Sequence, residues 1–386
     1  MTLAPTKFQR LLLPGFAFKA VVIGGGYATG RELASFFLPS GPRGGLWGML
    51  LAMLIWSVVC VVTFVFALRT NSRDYRTFFR HLLGPWWPTF EVAYFLALVV
   101  ILAVYAAAAG AIGQAILGWP EFVGALCLVI SITLVGTWGN EAVEGLFKYV
   151  SFFLYATYAL FVVLALTHFG ARTLSSFAAP SSTADWMTGG VTYAGYNIIG
   201  AIVILPVVRH MVTARDAVVA GLLAGPLAMI PALLFFICMV AFYPEIQNQA
   251  LPSDFLLGKL NLPAFRIVFQ AMIFAALLES GTGGVHAINE RIAQAYRGDT
   301  DRVLSRGARL GLTILVLTIS VFVATRFGLV TLIASGYHWL AVAFLTIYVL
   351  PLMTWGLWRL LLGDLRSGTS GAAPAGAKVD RVFPAA

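Results

Sequence analysis

Apolar residues in this chain run in long stretches separated by short, Arg-rich polar intervals. A helix needs roughly 20 apolar residues to cross hydrocarbon, and about ten stretches reach that length. They fall at 11–38, 45–68, 88–117, 120–138, 143–168, 189–208, 215–243, 263–296, 308–326 and 329–358. Two are interrupted. The first carries Gly24-Gly25-Gly26-Tyr27-Ala28-Thr29-Gly30 followed by Arg31 and Glu32; the sixth carries Tyr193-Ala194-Gly195-Tyr196-Asn197. Each glycine weakens a helix by about 1 kcal/mol relative to alanine. The pattern therefore predicts an all-α membrane protein whose first and sixth spans are discontinuous.

The halves match in layout. Each opens on a broken segment and has a long third one, 88–117 and 263–296. Five spans per half is an odd number, so the two halves take opposite topologies, the inverted repeat of many transporters. The expected divisions are a terminus at 1–10, repeats at 11–168 and 189–360, a loop at 169–188 on the far side, and a disordered Gly/Ala/Ser/Pro tail at 361–386. The stretch Arg69–Leu83 reads as a basic amphipathic helix lying on the membrane surface, with a plain solvated loop as the alternative.

Composition strengthens the membrane reading. Of 386 residues, 60% are hydrophobic and 11% charged, with mean hydropathy +0.89; soluble domains carry about 25% charged residues. The net charge of +9 is dispersed over loops, which suits orientation in a bilayer and not nucleic-acid binding. Lys19 and Arg31 lie within the first span. Of the other basic residues, Arg43, Arg172, Lys259, Arg266 and Arg326 fall on one side and the remainder on the side of the termini. That bias predicts both termini in the cytoplasm. Cys60, Cys127 and Cys238 lie in apolar runs and read as packed thiols; their spacing fits no metal site.

The glycine run has three readings. After Val21-Val22-Ile23 it imitates a dinucleotide-binding turn, but that turn needs a βαβ unit with an acidic residue about 20 positions on, and an apolar span follows instead. Gly26 and Gly30 suit small-xxx-small helix packing. Unwinding at membrane depth, tolerated only beside a protein-enclosed cavity, accounts for three glycines next to a charge pair. A half-helix starting near Thr29 would offer unpaired N–H groups to a carboxylate. The carbonyls of Gly24, Gly25 and Gly26 would face a cation. Candidate substrate contacts are Gly24, Gly25, Gly26, Tyr27, Thr29, Gly30, Tyr105, Tyr193, Tyr196 and Asn197.

Glu279 lies mid-span, where charge is expensive and marks ion pathways. Glu279, Thr282, His286 and Asn289 share one helix face. A coupling role through H⁺ or Na⁺ falls to Glu279 with Ser280, Thr282, His286, Lys19 and Glu32. Na⁺ would sit near Gly24, Glu279 and Thr282, and no other cofactor is expected. The bland alternatives are a structural Glu279–Lys19 pair, and a Glu32 that serves only the helix dipole. Lys148, Glu141 and Glu144 read as interfacial or gating charges.

Two blocks carry a family resemblance: Gly24–Glu32, and Glu279-Ser280-Gly281-Thr282-Gly283-Gly284-Val285-His286-Ala287-Ile288-Asn289-Glu290-Arg291. They resemble motifs of the YkvI-like membrane proteins, a bacterial family related to the amino acid–polyamine–cation transporter superfamily. Arg31 stands where glutamine is commoner there. The resemblance implies a LeuT-type five-plus-five inverted repeat, a central site between spans one, three, six and eight, and alternating access. The expected activity is ion-coupled secondary transport of a small amino acid or similar carboxylate-bearing solute. The expected partners are that solute and the lipid bilayer. A membrane-embedded enzyme acting on a lipid or acyl donor is the alternative from another class; its five histidines are scattered. A channel or sensor on the same scaffold is the third.

Overall fold

The computed structural model describes residues 5–137, 140–297 and 305–362, and the regular structure among them is helical. Six continuous stretches are long and apolar enough to cross a membrane, the last being the 56-residue Gly307–Leu362. That stretch breaks at Gly328, whose φ of 71° and ψ of 166° are not helical, so it makes two passes. With the shorter α7 and the two interrupted segments, ten passes result.

The first pass comprises α1 (Leu13–Val22), a single turn α2 (Gly25–Ala28) and α3 (Arg31–Phe36). It breaks twice. Ile23 leaves helical geometry at ψ 69°, and Gly30 sits at φ 78°, where only glycine is unstrained. Next come α4 (Gly41–Arg69), α5 (Tyr75–Leu83), α6 (Pro88–Leu117), α7 (Glu121–Thr137) and α8 (Asn140–Ala178). The second half holds α9 (Trp186–Asn197), α10 (Ile199–Val203), α11 (Ala214–Val240), α12 (Pro252–Leu260), α13 (Pro263–Arg297), α14 (Arg306–Thr331), α15 (Tyr337–Phe344) and α16 (Leu357–Leu362). The break between α9 and α10 is milder than the sequence predicts. Ile198 keeps helical angles, φ −62° and ψ −19°, and its N–H still donates to the Ala194 carbonyl at 3.0 Å.

Contacts between spans obey the symmetry of an inverted repeat. Span one (α1) packs on span seven (α11), and span six (α9) on span two (α4). Span three (α6) meets span nine (α14), as span eight (α13) meets span four (α7). Span eight also meets span five (α8), as span three meets span ten (α15). Each pair becomes its partner when five is added to or subtracted from both numbers. Not all exchanges are equal: α9 packs closely on α15, while its mate, α1 on α8, does not pack to the same extent among the described residues, and α6 packs more extensively on α7 than α13 does on α14.

The α4–α11 seam shows how apolar helices associate where lipid removes most of the hydrophobic drive. A Cβ at Gly221 would lie 2.5 Å from the Val61 nitrogen, and one at Gly225 2.3 Å from the Met53 carbonyl oxygen. The backbones therefore touch. Pro226 within α11 has no N–H for the Leu222 carbonyl four residues back. The Ser57 hydroxyl of α4 donates to that carbonyl at 3.0 Å, satisfying the group that proline leaves open.

The Arg69–Leu83 stretch resolves in favour of a helix. Asp74 caps α5 by accepting from the Thr77 N–H at 2.9 Å, and Phe78, Phe79 and Leu82 are buried on one face. The fifth span is longer than its apolar stretch: α8 runs on to Ala178 through the 169–178 part of the expected loop. The proposed tail beyond residue 362, and the side chains of Lys148, Glu141 and Glu144, lie outside the described residues.

Candidate functional site

The double break in the first span brings three tiers of polar groups to the middle of the bundle. In the outermost tier, α3 opens with Glu32, whose place in the first turn suits the helix dipole. The side chain is buried. The Tyr196 hydroxyl of α9 donates to its Oε2 at 2.5 Å. Tyr337 of α15 stacks on Tyr196 with ring centroids 4.3 Å apart, and Tyr193 meets Tyr196 edge-on at 5.7 Å. The Tyr193 hydroxyl is buried with no hydrogen-bond partner. Among the described residues Glu32 makes no ion pair.

Its neighbour Arg31 points elsewhere. The guanidinium donates to the carbonyls of Gln247 (2.9 Å) and Gln249 (2.6 Å), and to the Ser35 hydroxyl (3.1 Å). It thus ties α3 to the loop before α12. The Ser253 N–H at the start of α12 donates to the Thr29 carbonyl at 3.0 Å, and a Cβ on Gly30 would strike Phe235 at 2.8 Å. This end of the broken span is closed and packed.

The middle tier joins spans one, three and eight. A Cβ on Gly24 would lie 2.7 Å from the Tyr105 hydroxyl and 3.9 Å from that of Ser280. The glycine, the tyrosine and the serine therefore surround one small space. The innermost tier holds Lys19, Tyr155 and Glu279. The Lys19 ammonium lies over the Tyr155 ring, 4.2 Å from its centroid, and Glu279 is within electrostatic reach of Tyr155. Beside this tier Phe16, Ala20 and Val21 of α1 and Tyr155 of α8 are exposed.

Several expected contacts are engaged otherwise. The Tyr27 hydroxyl bonds to that of Tyr158 (2.9 Å), which donates to the Pro231 carbonyl (2.9 Å). Tyr27 thus belongs to a chain linking α2, α8 and α11. The Asn197 amide donates to the Tyr193 carbonyl one turn back at 3.2 Å. Thr282 donates its hydroxyl proton to the Leu278 carbonyl at 2.7 Å. The stripe on α13 fans out instead of lining one cavity. His286 is exposed, Asn289 donates to Thr313 of α14 at 2.8 Å, and Glu290 pairs with Arg309 at 2.8 Å. Arg291 is clamped between the rings of Tyr75 and Tyr94, 3.8 and 3.6 Å from their centroids. Gly25 and Gly26 form the single turn α2. No cluster of three or more His, Cys, Asp or Glu able to hold a metal occurs among the described residues.

Sequence reasoning missed Tyr337 and Tyr158. Each sits in a long apolar run, where a lone tyrosine reads as packing. An expectation that buried phenols seek a partner is the signal that would have found them.

The all-helical bundle, its five-plus-five contact symmetry and its doubly broken first span define a LeuT-type membrane fold. Solved structures agree. The chain superposes on MhsT in complex with L-phenylalanine with a TM-score of 0.60 at 15% identity, covering 94% of this chain and 99% of that one. It superposes on Mhp1, a nucleobase-cation-symport-1 family transporter with bromovinylhydantoin bound, at 0.55 and 13% identity, covering 94% and 83%. A manganese transporter of Eremococcus coleocola gives 0.52 at 17% identity, covering 88% and 77%. In sequence, the chain is 21% identical over 279 residues to the uncharacterized membrane protein YkvI of Bacillus subtilis (strain 168), covering 72% of this chain and 79% of YkvI. No protein-family model matches the chain.

Proposed function

We propose that this protein is an ion-coupled secondary transporter of a small amino acid or related carboxylate-bearing solute, working by alternating access with both termini in the cytoplasm. The observation that carries the reading is the first span: two breaks in one pass, at Ile23 and Gly30, with a buried acid just beyond the second. Irregular backbone at membrane depth is costly unless it serves a cavity, and broken spans form the substrate sites of many transporters. The solute binds near Gly24, between Tyr105 and Ser280. Lys19 and Glu279 lie on its path to the open end.

Alternating access requires the two ends of the site to exchange closure. The present closure lies at the α3–α9–α15 end, where Arg31 holds the loop. The opening lies between α1 and α8, where the symmetry-related packing is weak. Aromatic walls and few polar groups are the usual make-up of a small-molecule site.

The test is uptake by the purified full-length protein in liposomes, with radiolabelled amino acids supplied under an imposed pH or Na⁺ gradient. At least one solute is expected to accumulate above its external concentration and to leak back when an ionophore collapses the gradient. Uptake that only equilibrates for every solute would replace this reading with a channel.

A further inference from the structure

We propose that Glu32 is the proton-binding residue of this protein, so that the coupling ion is H⁺ and its carrier lies on the outer half of the broken first span. This rests on the transporter reading and goes beyond it by choosing between H⁺ and Na⁺ and between Glu32 and Glu279.

Geometry makes the choice. Glu32 is 5% exposed, and its direct partner is the Tyr196 hydroxyl. Among the described residues, the groups within electrostatic reach of it from the packed elements are phenols: Tyr193 and Tyr196 on α9, Tyr337 on α15, Tyr105 on α6 and Tyr27 on α2. On its own helix, Arg31 spends its guanidinium on the Gln247 and Gln249 carbonyls and Ser35. In the adjoining loop, Glu245 pairs with Lys259 at 3.6 Å. Glu279, on α13 beside α2, sits in the tier of Lys19 and Tyr155. An ionised carboxylate shut away from water without a cation is expensive, and a neutral one is not.

Size then selects the ion. A sodium ion needs a shell of oxygens and room for it. The Tyr196 ring, stacked on Tyr337 and met at a tilt by Phe36, takes up the space beside Glu32. A proton needs neither: one O–H bond forms on the carboxyl and its charge is gone. Release is the reverse, the O–H bond breaking and the proton leaving to water at the open end while the carboxylate stays. Tyr105, whose hydroxyl borders the Gly24–Ser280 space, is within electrostatic reach of Glu32, so loading of Glu32 is felt where the solute binds. The unpartnered Tyr193 hydroxyl supplies a second donor that turns toward the carboxylate once the proton leaves.

The experiment is pH-titrated infrared difference spectroscopy on the full-length protein in lipid nanodiscs, reading the C=O stretch of a protonated carboxyl. A titrating band is expected in the wild type, lost in Glu32→Gln and retained in Glu279→Gln. Tyr196→Phe keeps the carboxyl and removes its donor, so it should displace the band. This variant holds the test open if Glu32→Gln does not fold. A band unchanged in Glu32→Gln, one lost in Glu279→Gln, or one indifferent to Tyr196→Phe overturns the proposal. Liposome uptake separates it from the wider reading. If the Glu32 band titrates but no labelled amino acid moves with a pH gradient, the transport reading falls while Glu32 stands as a proton site.

Discussion

At the scale of single residues, Gly24 is the narrowest point of the site. A methyl group there meets the Tyr105 hydroxyl at 2.7 Å, and overpacking of this kind costs about 1–3 kcal/mol. Gly24→Ala is expected to lower the thermal stability of the purified protein, and Tyr105→Phe in the same chain to restore part of it. Additive losses in the double variant would show that the two groups do not meet. Residue-level chemistry was partly legible in the sequence. Gly24, Tyr105, Ser280, Tyr196 and Glu32 do converge, because glycine runs and intramembrane charge are rare enough to stand out. Arg31 was visible but unreadable: its partners are backbone carbonyls some 216 and 218 positions away, and carbonyls leave no trace in a side-chain pattern. The stripe that His286 shares with Glu279 and Asn289 spreads over several neighbours for a related reason. Helical periodicity gives the face a residue shares, and that face turns from one neighbour to another along α13.

At the scale of elements, α11 shows how a proline is accommodated inside a membrane helix. The Ser57→Ala change leaves the Leu222 carbonyl without that donor, at a cost of about 1 kcal/mol. Thermal unfolding in detergent should record that loss. Adding Pro226→Ala returns an N–H to the ladder, and the double variant is expected to recover most of the stability; no recovery would mean the serine acts through packing alone. Long apolar runs fixed the ten passes well, including the boundary at Gly328, because span length is dictated by the bilayer. Short elements outside the hydrocarbon were harder. α12 and the end of α8 were not anticipated, since hydropathy says little where water and protein both satisfy the backbone. The difference between the two broken spans was also hidden. The first span leaves helical geometry at Ile23 and again at Gly30, with Gly25 and Gly26 in the turn between, whereas the sixth stays helical through Asn197, where the Trp56 indole donates to the Ala194 carbonyl at 3.2 Å.

At the scale of the whole molecule, the unequal packing of α9–α15 and α1–α8 fits, under the proposed alternating access, a state sealed at the α3 end and open at the α1 end. Single cysteines test it in a chain whose native cysteines are replaced. Ala20→Cys should react rapidly with a charged maleimide offered from the side of the termini, and Ala34→Cys, fully buried, should not react from either side. Labelling of Ala34→Cys from the far side, with Ala20→Cys protected, would reverse the assignment. The inverted repeat was legible as layout alone. Its pairing rules were not, since internal symmetry survives in packing long after residue identities have diverged.

The hold of Arg31 on the loop has an evolutionary corollary. A clasp that grips main-chain oxygens is blind to what side chains hang beside them, so positions 247 and 249 are free to vary while the fastening persists. The loop is therefore a place where surface character changes at little risk to the clasp.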